Sequence, residues 1–293
     1  AEEWGWCVDK GHAVWLGGDL LPIGFYLNDY SALVTAVLVG IAVPPYAPWW
    51  VIMIGMAFAI FIAKHLYGGM GYNPFNPAMV AYVILLISLP VQMTQWAAPV
   101  GLGDGFIGPV AAFLHNFGFL SLDGHTAATP LDVLKQNSSL TLEQLFNDKT
   151  AVFGHLAGKG WEWVNIGFLL GGVYLLARKI FTWHTPVAML AAIGVCAAIG
   201  YDGGSSASGG SPLFHWLSGA TMLGAFFIAT DPVTSTVSTR GRLVYGACIG
   251  VLVYVIRCYG SYPDAVAFSV LLMNFAAPFI DHYTKPRTYG HKK

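Results

Sequence analysis

Long apolar stretches alternate along this chain with short polar or Pro/Gly-rich joints, a pattern that predicts membrane-crossing helices. Eight apolar segments approach the ~20 residues a bilayer requires. They lie near 31–43, 48–66, 77–93, 163–181, 185–200, 213–230, 243–257 and 265–281. The first is cut short by Pro44-Pro45, so its helix is expected to begin within Ile23–Tyr30. Residues 94–160 break the rhythm. They carry Asp132, Lys135, Asn137, Ser138, Glu143, Asp148 and Lys149, which predicts a solvated segment. The Gly/Ser-rich run 203–210 reads as a flexible connector.

The chain also repeats itself. Ser31-Ala32-Leu33-Val34-Thr35, followed by Val43-Pro44-Pro45, aligns with Ser218-Gly219-Ala220-Thr221, followed by Thr230-Asp231-Pro232. Pro77-Ala78-Met79-Val80-Ala81 aligns with Pro263-Asp264-Ala265-Val266-Ala267 at nearly the same offset. Three spans fall in each block. The second block is preceded by a helix pair, 163–181 and 185–200. By symmetry a pair is expected upstream of Ala1, giving ten spans in the intact protein. The expected organisation is a first repeat over 1–93, a periplasmic segment over 94–160, and a second repeat of five spans with a cytoplasmic tail over 161–293.

Composition makes the class firm. Of 293 residues, 56% are hydrophobic and 10% charged, with a mean hydropathy of +0.60; soluble domains carry about 25% charged residues. The fold class is therefore an all-α integral membrane protein, a multi-span helix bundle. Net charge is −1, which argues against a nucleic-acid partner. Cys7, Cys196, Cys248 and Cys258 have no metal-binding spacing, and the three in or beside apolar segments read as small buried filler. Placing the basic tail (Lys285, Arg287, Lys292, Lys293) in the cytoplasm puts Arg240, Arg242, Arg178, Lys179 and Lys64 there too. That count starts 31–43 inside and 213–230 outside, so the repeats have inverted topology, as in transport proteins.

Candidate chemistry centres on Ser218-Gly219-Ala220-Thr221. This string matches the site at which a flavin transferase esterifies FMN phosphate onto threonine. Small residues leave a shallow patch where a planar ring could lie, with Thr221 expected one turn inside its helix. Gly219, Ala220, Gly224 and Ala225 are equally consistent with a helix-packing face. Asn73-Pro74-Phe75-Asn76-Pro77 suggests a broken helix or re-entrant turn that could bind a cofactor edge; the alternative is an ordinary turn with an Asn cap. Asp231 and Asp264 are candidates for an ion path, whereas Asp281 borders the polar tail. His65, His184 and His215 show no ligand spacing. Trp49, Trp50, Trp161, Trp163 and Trp183 read as interfacial belt residues. No Gly-rich loop after a strand offers a dinucleotide site.

Several stretches together resemble a known family: Lys64-His65-Leu66-Tyr67-Gly68-Gly69, Asn73 to Met79, Ala128-Thr129-Pro130-Leu131-Asp132, Leu217 to Leu223, Ala229 to Thr234, Tyr262-Pro263-Asp264 and Lys285 to His291. They resemble the D subunits of bacterial Rnf complexes, more closely than the homologous B subunits of the sodium-pumping NADH:quinone oxidoreductase. The resemblance implies a subunit of an inner-membrane complex coupling ferredoxin:NAD electron transfer to Na+ or H+ movement. It implies FMN on Thr221 toward the periplasmic side; the residues themselves suggest Ser218, Gly219 and Ala220 against the ring or phosphate and the Asn73–Asn76 break facing it from the opposite repeat, and leave open whether a second, non-covalent flavin binds. It implies the A, B, C, E and G subunits of the Rnf complex as partners, together with the lipid bilayer and a flavin transferase. The general acceptor pattern opens with an acidic residue where this chain has His215. An inverted-repeat transporter or channel for a small solute, without a redox role, is the alternative reading.

Overall fold

A computed structural model describes residues 13–16, 19–22 and 30–285, apart from 70, 100–106, 122–123, 138, 207 and 263. Cys7, the expected helix start before Tyr30, Ser138 and the tail beyond Lys285 lie outside these residues. The described chain is mostly helical, with two short antiparallel strand pairs that the apolar pattern does not predict, Ala13–Leu16 with Asp19–Pro22 and Trp96–Ala97 with Thr126–Ala127.

Among the described residues, three helices are long and apolar enough to cross a membrane: Trp49–Tyr67, Thr239–Tyr259 and Val266–Thr284. Ser31–Ala42, Pro77–Ser88, Trp161–Ala177 and His184–Ile199 are shorter apolar helices. Leu33, Phe61, Leu170, Val195 and Phe275 are exposed on their outer faces. Helices apolar on both inner and outer faces are those suited to a lipid surround.

Local chemistry sets the helix starts. Asn76 Oδ1 accepts from the amides of Ala78 and Met79, with Pro77 in the first helical position. Ser211 caps the helix beginning at Pro212, and Ser238 caps the one beginning at Thr239. Asp281 accepts from the amides of Val237 and Ser238, so this boundary carboxylate fixes the turn before a span. The helices His184–Ile199 and Thr239–Tyr259 pack closely along Gly246 and Gly250. A Cβ there would lie 2.4 Å from the Thr185 and Met189 carbonyl oxygens respectively, so small residues four apart permit the approach.

Three expectations are corrected. The apolar stretch 213–230 is not one helix: Pro212–Leu217 ends, three residues intervene, and a second helix begins at Thr221. The stretch 77–93 stops at Ser88 and resumes as Pro90–Thr94, because Leu89 leaves helical geometry ahead of Pro90. The 94–160 segment is not simply solvated. Glu143, Asp148 and Lys149 are exposed, yet Asp132, Lys135 and Asn137 are half-buried. Leu131, Val133, Leu145, Val152 and Phe153 form a small core with Phe214 and Leu217 of the broken helix. Helices Pro130–Gln136 and Leu142–Asp148 both begin with reciprocal capping boxes, Thr129 with Asp132 and Thr141 with Gln144. Within the 203–210 run Ser208 is buried and Gly204 O accepts from the Leu142 amide, while Gly203 and Ser206 are exposed.

Candidate functional site

The Ser218–Ala220 break gathers buried polar groups inside the apolar core. Ser218 is extended and Gly219 is left-handed at φ 57°. A Cβ on Gly219 would lie 2.8 Å from Leu131 Cδ1, 2.9 Å from Asp264 Oδ2 and 3.0 Å from Arg257 Nη2, so backbone shape and space both select glycine.

Breaking a helix strands carbonyls on one side and amides on the other. Three side chains distant in sequence satisfy them. Arg257 Nη1 donates to His215 O at 3.0 Å and Nη2 to Ser218 O at 3.3 Å. Asp264 Oδ2 accepts from the Ala220 amide at 2.9 Å. Asn165 spans the break, donating to Gly219 O and accepting from the Met222 amide. The cation faces the end of one half-helix and the carboxylate the start of the next, the favourable sense for both peptide dipoles. Arg257 and Asp264 pair at 3.1 Å, with the arginine side chain 1% and the aspartate 22% exposed.

Thr221 is fully buried. Its single hydroxyl proton is shared between His215 O, 2.7 Å from Oγ1, and Ser218 O at 3.0 Å. Thr221 therefore opens the second half-helix with its hydroxyl turned inward, which corrects the expectation that it lies one turn inside its helix. Gly219 and Ala220 border a cavity of about 370 Å³ lined by Tyr82, Trp96, Trp161, Phe168 and Asp264. The Trp96 and Trp161 rings meet edge-on at 5.4 Å. Trp161 is thus a cavity wall, whereas Trp49, Trp163 and Trp183 remain exposed near helix ends as expected.

Behind the break lies a polar cavity of about 250 Å³ whose lining includes Lys135, His215, Tyr254, Arg257 and Cys258. Lys135 Nζ donates to Tyr262 O at 2.8 Å, and burial pulls its pKa below the ordinary lysine value. His215 Nε2 donates to Gly209 O at 2.8 Å. Among the described residues, Ser218 Oγ and Arg257 Nε are buried and have no hydrogen-bond partner.

The structure does not bring Asn73 and Asn76 to Thr221. Asn76 Nδ2 donates to Asp231 Oδ2 at 3.3 Å, and Asp231 also accepts from Thr234 Oγ1 and the Val233 amide. These groups border a third cavity, about 660 Å³, with Asn73, Lys64, Arg242 and Phe226. Asp231 and Asp264 belong to different networks, one beyond the end and one at the start of the helical stretch that begins at Thr221 and ends at Ile228. Lys64, which is buried, donates to Ser31 Oγ at the start of the first apolar helix.

Sequence reasoning missed Asn165 and Arg257. A lone polar residue inside an apolar helix is the signal that finds both, since such residues are costly in a membrane and are kept for a purpose.

A helical chain with membrane-length apolar helices and a buried polar break defines a class of integral membrane protein. This chain belongs to the NQR2, RnfD, RnfE family, whose profile matches residues 20–290. It is 62% identical over 276 residues to the D subunit of the ion-translocating oxidoreductase complex of Cellvibrio japonicus, covering 93% of this chain and 78% of that protein. The proteins of the same name from Ectopseudomonas mendocina and Shewanella denitrificans are 58% and 51% identical, covering 93% and 96% of this chain and 78% and 83% of theirs. The resemblance read from the sequence motifs holds at the level of the family.

Proposed function

We propose that this chain is the D subunit of an ion-translocating ferredoxin:NAD oxidoreductase complex and carries FMN covalently on Thr221. The supporting observation is the break itself. It presents buried unpartnered donors at Ser218 and Arg257 for phosphate oxygens, a glycine where a Cβ would collide, and an aromatic cavity beside Ala220 of a size and lining that suit an isoalloxazine ring.

Attachment forms the Thr221 Oγ1–P bond as a P–O bond of an activated flavin nucleotide breaks. The departing phosphate takes the electron pair and the hydroxyl proton is lost; no redox change occurs. Losing that proton removes the one donor Thr221 shares between the two carbonyls, at a cost of about 1–3 kcal/mol. The His215 and Ser218 carbonyls keep their Arg257 donors. Bound FMN supplies an electron relay. The chain fixes its position, excludes water and sets the charge around it.

The same reading includes inverted repeats, with the C-terminus cytoplasmic and the flavin toward the periplasm of a bacterial inner membrane. The buried cations support the repeat: Lys64 reaches Ser31 and Arg257 reaches Ser218, which are aligned positions. A second, non-covalent flavin fits the cavity bordered by Asn73, Asn76 and Phe226, and Asp231 beside it is the ion-path candidate. Partners are the other subunits of the complex and a flavin transferase, and the coupled ion is Na+ or H+. The test is fluorescence of the denatured chain under ultraviolet light. The wild type is expected to fluoresce and Thr221→Ala to be dark; a bright Thr221→Ala chain would end the attachment proposal and leave a solute channel as the competing reading.

A further inference from the structure

We propose that Arg257 is the phosphate-binding residue of the Thr221 site, held in register by Asp264. The inference rests on the attachment proposed above and goes beyond it, because neither the acceptor motif nor the family resemblance singles out Arg257.

The geometry is specific. Thr221 Oγ1 and the Arg257 guanidinium share both of their carbonyl partners, His215 O and Ser218 O. The hydroxyl and the cation therefore sit one acceptor apart on two sides. A phosphorus atom bonded to Oγ1 has a guanidinium waiting beside it. Arginine carries five N–H groups. Three bonds are in use, to His215 O, Ser218 O and Asp264 Oδ1, and Nε is buried without a partner among the described residues. The donors in reserve match the non-bridging oxygens of a phosphodiester, and Ser218 Oγ is a further unpartnered hydroxyl at the same break.

Charge argues the same way. A flavin phosphodiester on threonine has one negative charge, and placing it uncompensated in a low-dielectric core is costly. The polar cavity lined by His215 and Arg257 adjoins the break, and its two charged lining residues, Arg257 and Lys135, are both cations. Asp264 offsets part of the Arg257 charge and leaves Lys135 as the further cation, while it also positions the loop. Its other oxygen caps the Ala220 amide, so one carboxylate fixes both the arginine and the acceptor loop.

The test uses the whole complex purified in a phosphate-free detergent. In the wild type with 15N-labelled arginine, dipolar coupling between guanidinium nitrogen and the diester phosphorus is expected at hydrogen-bond range. It should vanish in Arg257→Lys, which assigns it among the arginines. Arg257→Gln should lower the fraction of chain bearing the adduct, read by intact mass, about tenfold or more. Arg257→Lys should fall between. An adduct on wild-type Thr221 without that coupling, or full modification in Arg257→Gln, overturns the assignment of Arg257 and leaves the attachment standing. No adduct on the wild-type chain overturns the attachment and this inference with it. Should Arg257→Gln fail to assemble, the labelled wild type still decides.

Discussion

Asn165 and Gly219 meet across 54 residues of sequence, the side-chain amide donating to the glycine carbonyl at 3.0 Å. The other end of the same amide accepts from Met222 at 3.2 Å. One buried side chain thus closes both lips of the helix break. Asn165→Ala should leave a carbonyl and an amide unpaired in the core, at about 1–3 kcal/mol each. The expected result is a lower thermal midpoint of the purified subunit and less adduct on Thr221. A midpoint equal to the wild type would show that the break is held by other means.

Gly219 and Gly40 make a matched pair for testing the acceptor loop. Gly40 lies in the Ser31–Ala42 helix, and a Cβ there meets nothing within 4 Å. Gly40→Ala should be neutral or stabilising by up to about 1 kcal/mol. Gly219→Ala puts a side chain into a left-handed residue and against Asp264 and Arg257, and should destabilise by about 1–3 kcal/mol. It should also reduce modification of Thr221, because the displaced groups are the ones that organise the loop. Intact mass and thermal unfolding of both variants check the contrast.

Much of this is legible in the sequence, and the boundary is physical. Apolar content gives the membrane class, and the Ser218–Thr221 string marks the right place. Asn76 as a helix cap is one of the readings its motif allows, and the cap is present. The break is not legible, because hydropathy is blind to three residues that leave helical geometry inside a stretch that stays apolar. Arg257 reads as a helix end and Asn165 as one polar residue in an apolar run. Their roles come from hydrogen bonds across 39 to 57 positions of sequence, a scale that local patterns do not encode. Trp161 shows the same limit: a tryptophan near a span end fits a lipid interface or a cavity wall equally well until the neighbouring strand brings Trp96 against it.

Asn76 performs two tasks that substitution can separate. Its Oδ1 caps the Pro77–Ser88 helix and its Nδ2 reaches Asp231. Asn76→Ala should cost about 1 kcal/mol through the lost cap. Asn76→Ser should retain most of the capping but not the reach to Asp231. If Asp231 lies on the ion path, Asn76→Ser and Asp231→Asn should both lower ion uptake by reconstituted complex while Thr221 keeps its adduct. Uptake at the wild-type rate in Asp231→Asn would remove that carboxylate from the path.

Lys135 predicts an alkaline pH dependence of stability. Burial lowers its pKa in the folded chain from the ordinary 10.5, while its ammonium donates to Tyr262 O. A lysine whose folded pKa is depressed is penalised while charged, so its unfavourable contribution is complete below the folded pKa. As pH rises through that value toward 10.5, the unfolded chain holds more protons than the folded one, and stability from this group increases. The thermal midpoint of the wild type, compared with Lys135→Met over pH 7 to about 10, should therefore gain on the variant as the medium becomes alkaline. Lys135→Met removes the titrating charge but leaves the Tyr262 carbonyl without its donor, so the variant should start lower or level at neutral pH and then fall further behind. Two curves that stay parallel throughout would show that burial does not disturb this lysine.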